Sequence, residues 1–382
     1  MWSIVDSWPE LTLRDLCAKG RCDIKTGPFG TMLKAAEYVS EGVPLISTRE
    51  IGHGGFRISS STPRVGEATL ERLPQFRLRE GDVVFARKGG VERNCYVSST
   101  EDGWFLGSDA LRIRVGEDVC GRFLAYHVAS PFIRRWLVQQ AGGSTMASLN
   151  QEILERIPVP LPPSDEQRRI AGVLEAFDDL IETNRRLADA IAALVASTYE
   201  VELAYTANRV HLSDVSRHLP GKYLPKKTYE AGGPYPVYGS NSVMGSYTSY
   251  LYAGPLTVMA RIGSNCGALR LSESSAWINN NASAIKAIDP RMQVRLHEAL
   301  RRVEMDNHRA GTGQPFIRTE SLMGERIPWP TKPSPWDAAS GDLVEAAAAL
   351  EEESGDLIRQ RDELLPLLIS GKVRVSEVEG VG

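Results

Sequence analysis

The strongest periodic pattern in the chain starts just after Ser164. Ile170, Val173, Phe177, Leu180, Asn184, Leu187, Ile191 and Leu194 follow at steps of three and four, with mostly charged and small residues between them. Such spacing gathers the side chains on one helical face, and its length predicts a coiled-coil strand. A second stripe lies near the C-terminus, where Leu343, Leu350, Leu357 and Leu364 fall seven apart and Ala347, Ser354, Arg361 and Leu368 alternate with them. Pairing the two helices antiparallel within one chain would bury both seams. Asn184 is the polar residue of the first seam, placed to fix register at a cost in stability. Ser164-Asp165-Glu166-Gln167 has the capping-box form that starts a helix. Ser354, Arg361 and Pro366 weaken the second seam, so its last turns are expected to fray.

The rest of the chain repeats. Glu155-Arg156-Ile157-Pro158-Val159-Pro160 returns as Glu325-Arg326-Ile327-Pro328-Trp329-Pro330, 170 residues on. Ala86-Arg87-Lys88-Gly89 returns as Ala260-Arg261-Ile262-Gly263, Asn94-Cys95 as Asn265-Cys266, and Trp104 as Trp277, in the same order. The chain therefore reads as one unit of about 170 residues used twice. Each copy opens with short β-branched runs and turns, such as Gly81 to Ala86 and Leu256 to Ala260. A proline-punctuated strand follows, from Ile157 to Pro163 or from Ile327 to Pro335, and then a long helix. The expected boundaries are a globular segment at 1–160, a helix at 161–204, a globular segment at 205–334, a helix at 335–375 and a tail at 376–382. At about 1.5 Å per residue, a helix from Ser164 to Ala204 would span about 60 Å. One turn of B-DNA is about 34 Å.

Composition alone points away from nucleic acid. The 382 residues hold 44 basic and 48 acidic side chains, net −4 with pI near 6.0, whereas phosphate binding usually shows as basic excess. Division by the repeat changes this. Residues 1–160 carry 20 basic and 19 acidic residues, 164–204 carry 4 and 9, 205–334 carry 16 and 9, and 335–382 carry 4 and 11. The acidity belongs to the helices, and the second globular segment is basic. An acidic rod is repelled by phosphates and suits a protein partner or solvent.

Five cysteines, an odd and scattered set, suit a reduced compartment, and no metal site is expected because nothing completes the close pair Cys17 and Cys22. The N-terminus shows no basic and apolar leader and no run approaches a membrane span, so a cytoplasmic location is expected. No Walker A, His-Glu-x-x-His, Gly-x-Ser-x-Gly or dinucleotide-binding pattern occurs, nor does the Asn-Pro-Pro-aromatic signature of amino-methyltransferases. A non-catalytic role is expected.

The segment order resembles that of the specificity subunit of type I restriction-modification enzymes. The opening block Gly27-Pro28-Phe29-Gly30 with Tyr38 and Gly42 to Ile46 is similar to the start of its first target recognition domain. Pro236 to Asn241 followed by Ala260 to Ser264 resembles another form of that domain. Ile157 to Pro163 running into Glu166 to Ile170 and Phe177 to Ile181 resembles the strand and first conserved helix, and Leu364 to Leu368 with Ser370 to Val373 resembles the C-terminal end.

The resemblance implies an α+β fold of two repeated target recognition domains separated by two long antiparallel coiled-coil helices. Each domain would read half of a split site in double-stranded DNA, and the helices would set the spacing and dock two methyltransferase subunits. Restriction translocase-nuclease subunits would complete the assembly. S-adenosylmethionine, ATP and Mg would sit on those partners, with no cofactor on this chain. The candidate DNA contacts are Lys25, Arg87, Lys88 and Arg93 in the first copy and Lys222, Tyr238, Asn241, Arg261 and Asn265 in the second. Two other readings stay open: a specificity chain for a fused restriction-methylation polypeptide, and a coiled-coil scaffold without a DNA role.

Overall fold

A computed structural model describes residues 8–141, 147–206, 208–240 and 242–375. The chain forms two compact units, one of residues 1–181 with 356–382 and one of residues 182–355, so the divisions fall inside the long helices. Among the described residues, no helix is long and apolar enough to cross a membrane.

The first unit contains Glu10–Thr12 (β1), Leu13–Ala18 (α1), Cys22–Thr26 (β2), Val43–Ile46 (β3), Val83–Ala86 (β4), Asn94–Tyr96 (β5), Phe105–Leu106 (β6), Ala110–Val115 (β7), Gly121–Ala129 (α2) and Pro158–Pro160 (β8). Its four-stranded antiparallel sheet has the order β2-β7-β4-β5. Alternation along β4 feeds two cores. Val83 and Phe85 pack with Leu124 and Val128 of α2, while Val84 and Ala86 face Leu45, Phe105 and Leu106. β3 runs parallel to β6, and β1 closes antiparallel on β8, Glu10 opposite Pro160. Cys17 and Cys22, expected as reduced thiols, are joined as a disulfide across the turn between α1 and β2.

The long helix Ser164–Ala204 (α3) leads into the second unit, which contains Arg209–His211 (β9), Leu212–Val215 (α4), Ser216–Pro220 (β10), Tyr235–Tyr238 (β11), Leu256–Ala260 (β12), Leu269–Ser272 (β13), Trp277–Ile278 (β14), Ala282–Ala287 (β15), Gln293–Arg301 (α5) and Arg326–Pro328 (β16). Its sheet order, β10-β15-β12-β13, reproduces the first strand for strand, with β11 parallel to β14 and β9 antiparallel to β16. The repeat in sequence is thus a repeat in topology. The proline-rich strands are shorter than the sequence predicts, because proline gives the ladder no N–H.

Pro335–Ile369 (α6) is the second long helix. It runs antiparallel to α3, since partners shift in opposite directions along the two helices. In the first unit Ile170 and Leu174 pack with Leu365 and Leu368, and Asp178 accepts from Arg361 at 2.5 Å. In the second, Asn184 donates to Glu353 at 3.0 Å and Trp336 Nε1 to Thr198 at 2.9 Å.

Three expectations for these helices need correction. On α3, Ile170 and Asn184 are buried and Val173, Phe177 and Ile191 half-buried, but Leu180, Leu187 and Leu194 are 42%, 49% and 48% exposed. The buried alternates are Leu174, Ala188 and Val195, four residues beyond the first seam position rather than three. Positions at +3 and +4 flank the same face on opposite sides, and the compact Ala188 and Val195 sit on the side that the partner covers. On α6, Leu343, Leu350, Leu357 and Leu364 are half-buried in place. Its C-terminal end does not fray, for Leu365, Leu368 and Ile369 are buried with Trp8 and Phe123. Burying three such side chains is worth roughly 1.5–3 kcal/mol each, which exceeds the roughly 3 kcal/mol cost of Pro366 within a helix. Finally, Gln167 makes no capping box. Its buried amide accepts from Cys120 N–H and donates to Pro162 O, both at 2.8 Å, tying the start of α3 to that of α2.

Candidate nucleic-acid interface

Arg87 follows β4 directly, where the strand leaves the sheet. Its N–H donates to Asp109 O at 3.0 Å, its carbonyl accepts from Leu149 N–H at 2.8 Å, and its guanidinium approaches Ser108 O at 3.5 Å. Arg261 follows β12 in the same frame. Its N–H donates to Asn281 O at 3.0 Å, its carbonyl accepts from Ile317 N–H at 3.0 Å, and its guanidinium donates to Asn280 O at 3.3 Å. The two arginines are equivalent bond for bond. Neither has a carboxylate partner among the described residues, so most of their N–H donors remain for phosphate oxygens or base edges.

The surroundings of the pair differ. The Arg87 guanidinium lies 5.2 Å from the ring of exposed Phe29, and neighbouring Lys88 is exposed and paired with Asp109 at 3.1 Å. Near Arg261 stands His218, held below the usual imidazole range by burial and then by the Arg261 charge. Asn279 anchors the loop behind, donating to Tyr229 Oη at 3.1 Å and Leu224 O at 3.4 Å.

The other candidates separate by position. Lys222 is exposed, with its backbone fixed between Ile278 and the Trp277 indole, and Asn265 is exposed on the turn after Arg261. Lys25 is half-buried within β2, opposite Arg112. Arg93 spends its guanidinium on Ile51 O at 2.9 Å, Gly89 O at 3.0 Å and Gly90 O at 3.3 Å. It clamps the turn formed by Gly89 and Gly90, both at positive φ, and acts by positioning. Tyr238 is a correction to the expectation of an exposed contact residue: in β11 it is buried with Leu256 and Ile278. Asn241 lies outside the described residues.

Sequence reasoning missed Phe29 as a neighbour of Arg87 and the Asn279-Asn280-Asn281 run. The run was detectable, since it occupies the place of Gly107-Ser108-Asp109 in the repeat. It also missed how each globular segment holds the acidic helices. In the first unit Arg122 pairs with Glu175, and Tyr126 donates to Asp178 at 2.6 Å. In the second, Arg295 binds Asp337 at 2.7 Å and Glu202 at 3.0 Å, and Arg302 pairs with Glu200.

Duplicated sheets, equivalent arginines and a helical pair define a two-module α+β protein. Residues 6–193 match the family model of the type I restriction modification DNA specificity domain. The type I restriction enzyme MjaIX specificity subunit of Methanocaldococcus jannaschii is 23% identical over 154 residues, 40% of this chain and 35% of that protein. A putative type I specificity subunit of Mycoplasma pneumoniae is 25% identical over 308 residues, 71% of this chain and 78% of the relative. The fold is similar to the crystal structure of a type I restriction-modification S subunit from M. genitalium, with TM-score 0.61 and 18% identity over 96% of this chain and 98% of that one. Residues 6–193, just under half of the chain, are thus similar to the DNA specificity domain of type I restriction-modification systems. The match with the M. jannaschii subunit spans about a third of that relative's length.

Proposed function

We propose that this chain is the non-catalytic DNA-specificity subunit of a type I restriction-modification complex, with each globular module reading one half of a bipartite site. The observation that carries the reading is the shared hydrogen-bond frame of Arg87 and Arg261. It presents one cation without a carboxylate partner at the same point of each module, as two half-sites read in the same manner require. The helices set the gap between half-sites and dock methyltransferase subunits. Leu180, Leu187, Leu194 and Val201 support this, because they form an exposed apolar stripe at heptad spacing along α3, suited to an added helix. Two methyltransferase subunits, and restriction subunits beyond them, complete the assembly, and S-adenosylmethionine, ATP and Mg belong to those partners. A cytoplasmic setting goes with this reading.

The test is co-expression with the methyltransferase, followed by mapping of methylated adenines. A split motif with a fixed gap is expected, and a contiguous motif would overturn the two-module reading. If the assembled complex shows no salt-dependent affinity for duplex DNA, the DNA role itself is lost.

A further inference from the structure

A cavity of about 310 Å³ lies against the β9–β16 ladder in the second unit, and Tyr199, Arg209, Arg302, His308, Glu325 and Arg326 are among its walls. Tyr199 is fully buried, and its hydroxyl meets no hydrogen-bond partner among the described residues. Buried polar groups are normally satisfied, so an orphan of this kind calls for a partner from outside. At the rim, Arg209 donates to Arg326 O at 2.6 Å and Arg326 to Arg209 O at 2.8 Å. Each guanidinium is thus fixed against the backbone of the other arginine, with one of its donors used and the others left for a ligand. Neither meets a carboxylate among the described residues. Arg302, by contrast, is spent on Glu200 and Glu298, and Glu325 faces His308 at 3.5 Å.

The first unit serves as an internal control. The ladder position of Arg209, opposite Pro328, is held there by Glu10, opposite Pro160. In the ladder register Pro158 stands where Arg326 does, two residues from Arg156, its counterpart in the sequence repeat, and Ser130 caps α2 where Arg302 caps α5. The cavity at that place is about 170 Å³, and Glu10, His127, Pro131, Phe132, Arg135 and Ile369 are among its walls. The same topology is therefore built without any of the three arginines.

We infer that the cavity of the second unit binds a phosphate group, gripped by Arg209 and Arg326 and reached by the Tyr199 hydroxyl. Paired guanidiniums fit tetrahedral oxyanions through charge-assisted hydrogen bonds. The site is separate from the Arg261 position and does not depend on the proposed DNA role.

The test titrates the full chain with inorganic phosphate at constant ionic strength and follows the melting temperature. A saturable rise is expected in the wild type. The double variant Arg209→Gln with Arg326→Gln, both exposed positions, should raise the half-saturating concentration about tenfold or more. Tyr199→Phe should weaken the response severalfold while leaving the melting temperature without phosphate no lower, and Glu10→Gln in the first unit should change nothing. An equal phosphate response in wild type and double variant would overturn the assignment, as would no saturable response up to about 10 mM. A short duplex lacking the recognition site then separates the sources. Competition with phosphate assigns the site to the DNA backbone and its absence to a free phosphate ester, and either result upholds the phosphate chemistry.

Discussion

Arg87 and Arg261 share a backbone frame that does not depend on their side chains, so truncation removes a donor without undoing the turn. Arg87→Ala or Arg261→Ala should each weaken DNA affinity about tenfold and lower the salt slope by about one, with subunit assembly intact by size-exclusion chromatography. These two positions were legible because the repeat singled them out twice. Tyr238 and Arg93 were not, since a sequence does not show which face of a short strand is covered or where a guanidinium finds carbonyls. The partners of Arg295 were equally hidden, because Glu202 and Asp337 come from two separate helices. Arg295 and Asp337 side chains are each 1% exposed, so Arg295→Ala strands a buried charge and should cost about 3–5 kcal/mol in denaturant unfolding. Burial also pushes His127 and His297 down to about 4. Both are neutral when folded and take up protons on unfolding below the ordinary value of 6.5, so their contribution is present above that pH and lost on the way down to about 4. Stability should fall over this window by up to about 3 kcal/mol per histidine, with a shallower fall in His127→Gln.

At the scale of elements, the heptad pattern located both long helices and their antiparallel sense but misplaced three of the eight positions of the first seam. Ala188 is weak as a hydrophobic signal, while the leucines at 180, 187 and 194 are strong ones that face outward. A stripe marks an apolar surface without saying which partner covers it. Leu187→Glu with Leu194→Glu should leave the isolated chain's melting temperature unchanged within a degree or two and abolish co-purification of the methyltransferase. Retained co-purification would remove the stripe from the docking surface. The end of α6 was misjudged for a related reason, as local propensity counts the cost of Pro366 but not the burial supplied by Trp8, Phe123 and Ile170.

For the whole molecule, the net charge of −4 is a poor guide to the binding surface. Part of the helical acidity is matched inside each unit, by Arg122 and Arg361 in the first and by Arg295 and Arg302 in the second. Several helical carboxylates are thus held by arginines, those of the globular segments and Arg361 of α6 itself, a role beyond the solvent or partner exposure that composition suggested. The apolar cluster at the end of α6 has a further consequence. Trp8 and Val375 share it, and Arg374 lies 4.9 Å from the Trp8 ring. The two ends of the described chain are thus neighbours, and the order of the two modules along the polypeptide is arbitrary to the fold. A circular permutant that opens between Ala204 and Arg209 and links the segment after Val375 to the one before Trp8 should fold with the wild-type circular dichroism spectrum and methylate the same motif. The gene would then read the second module first, and the DNA would register no difference.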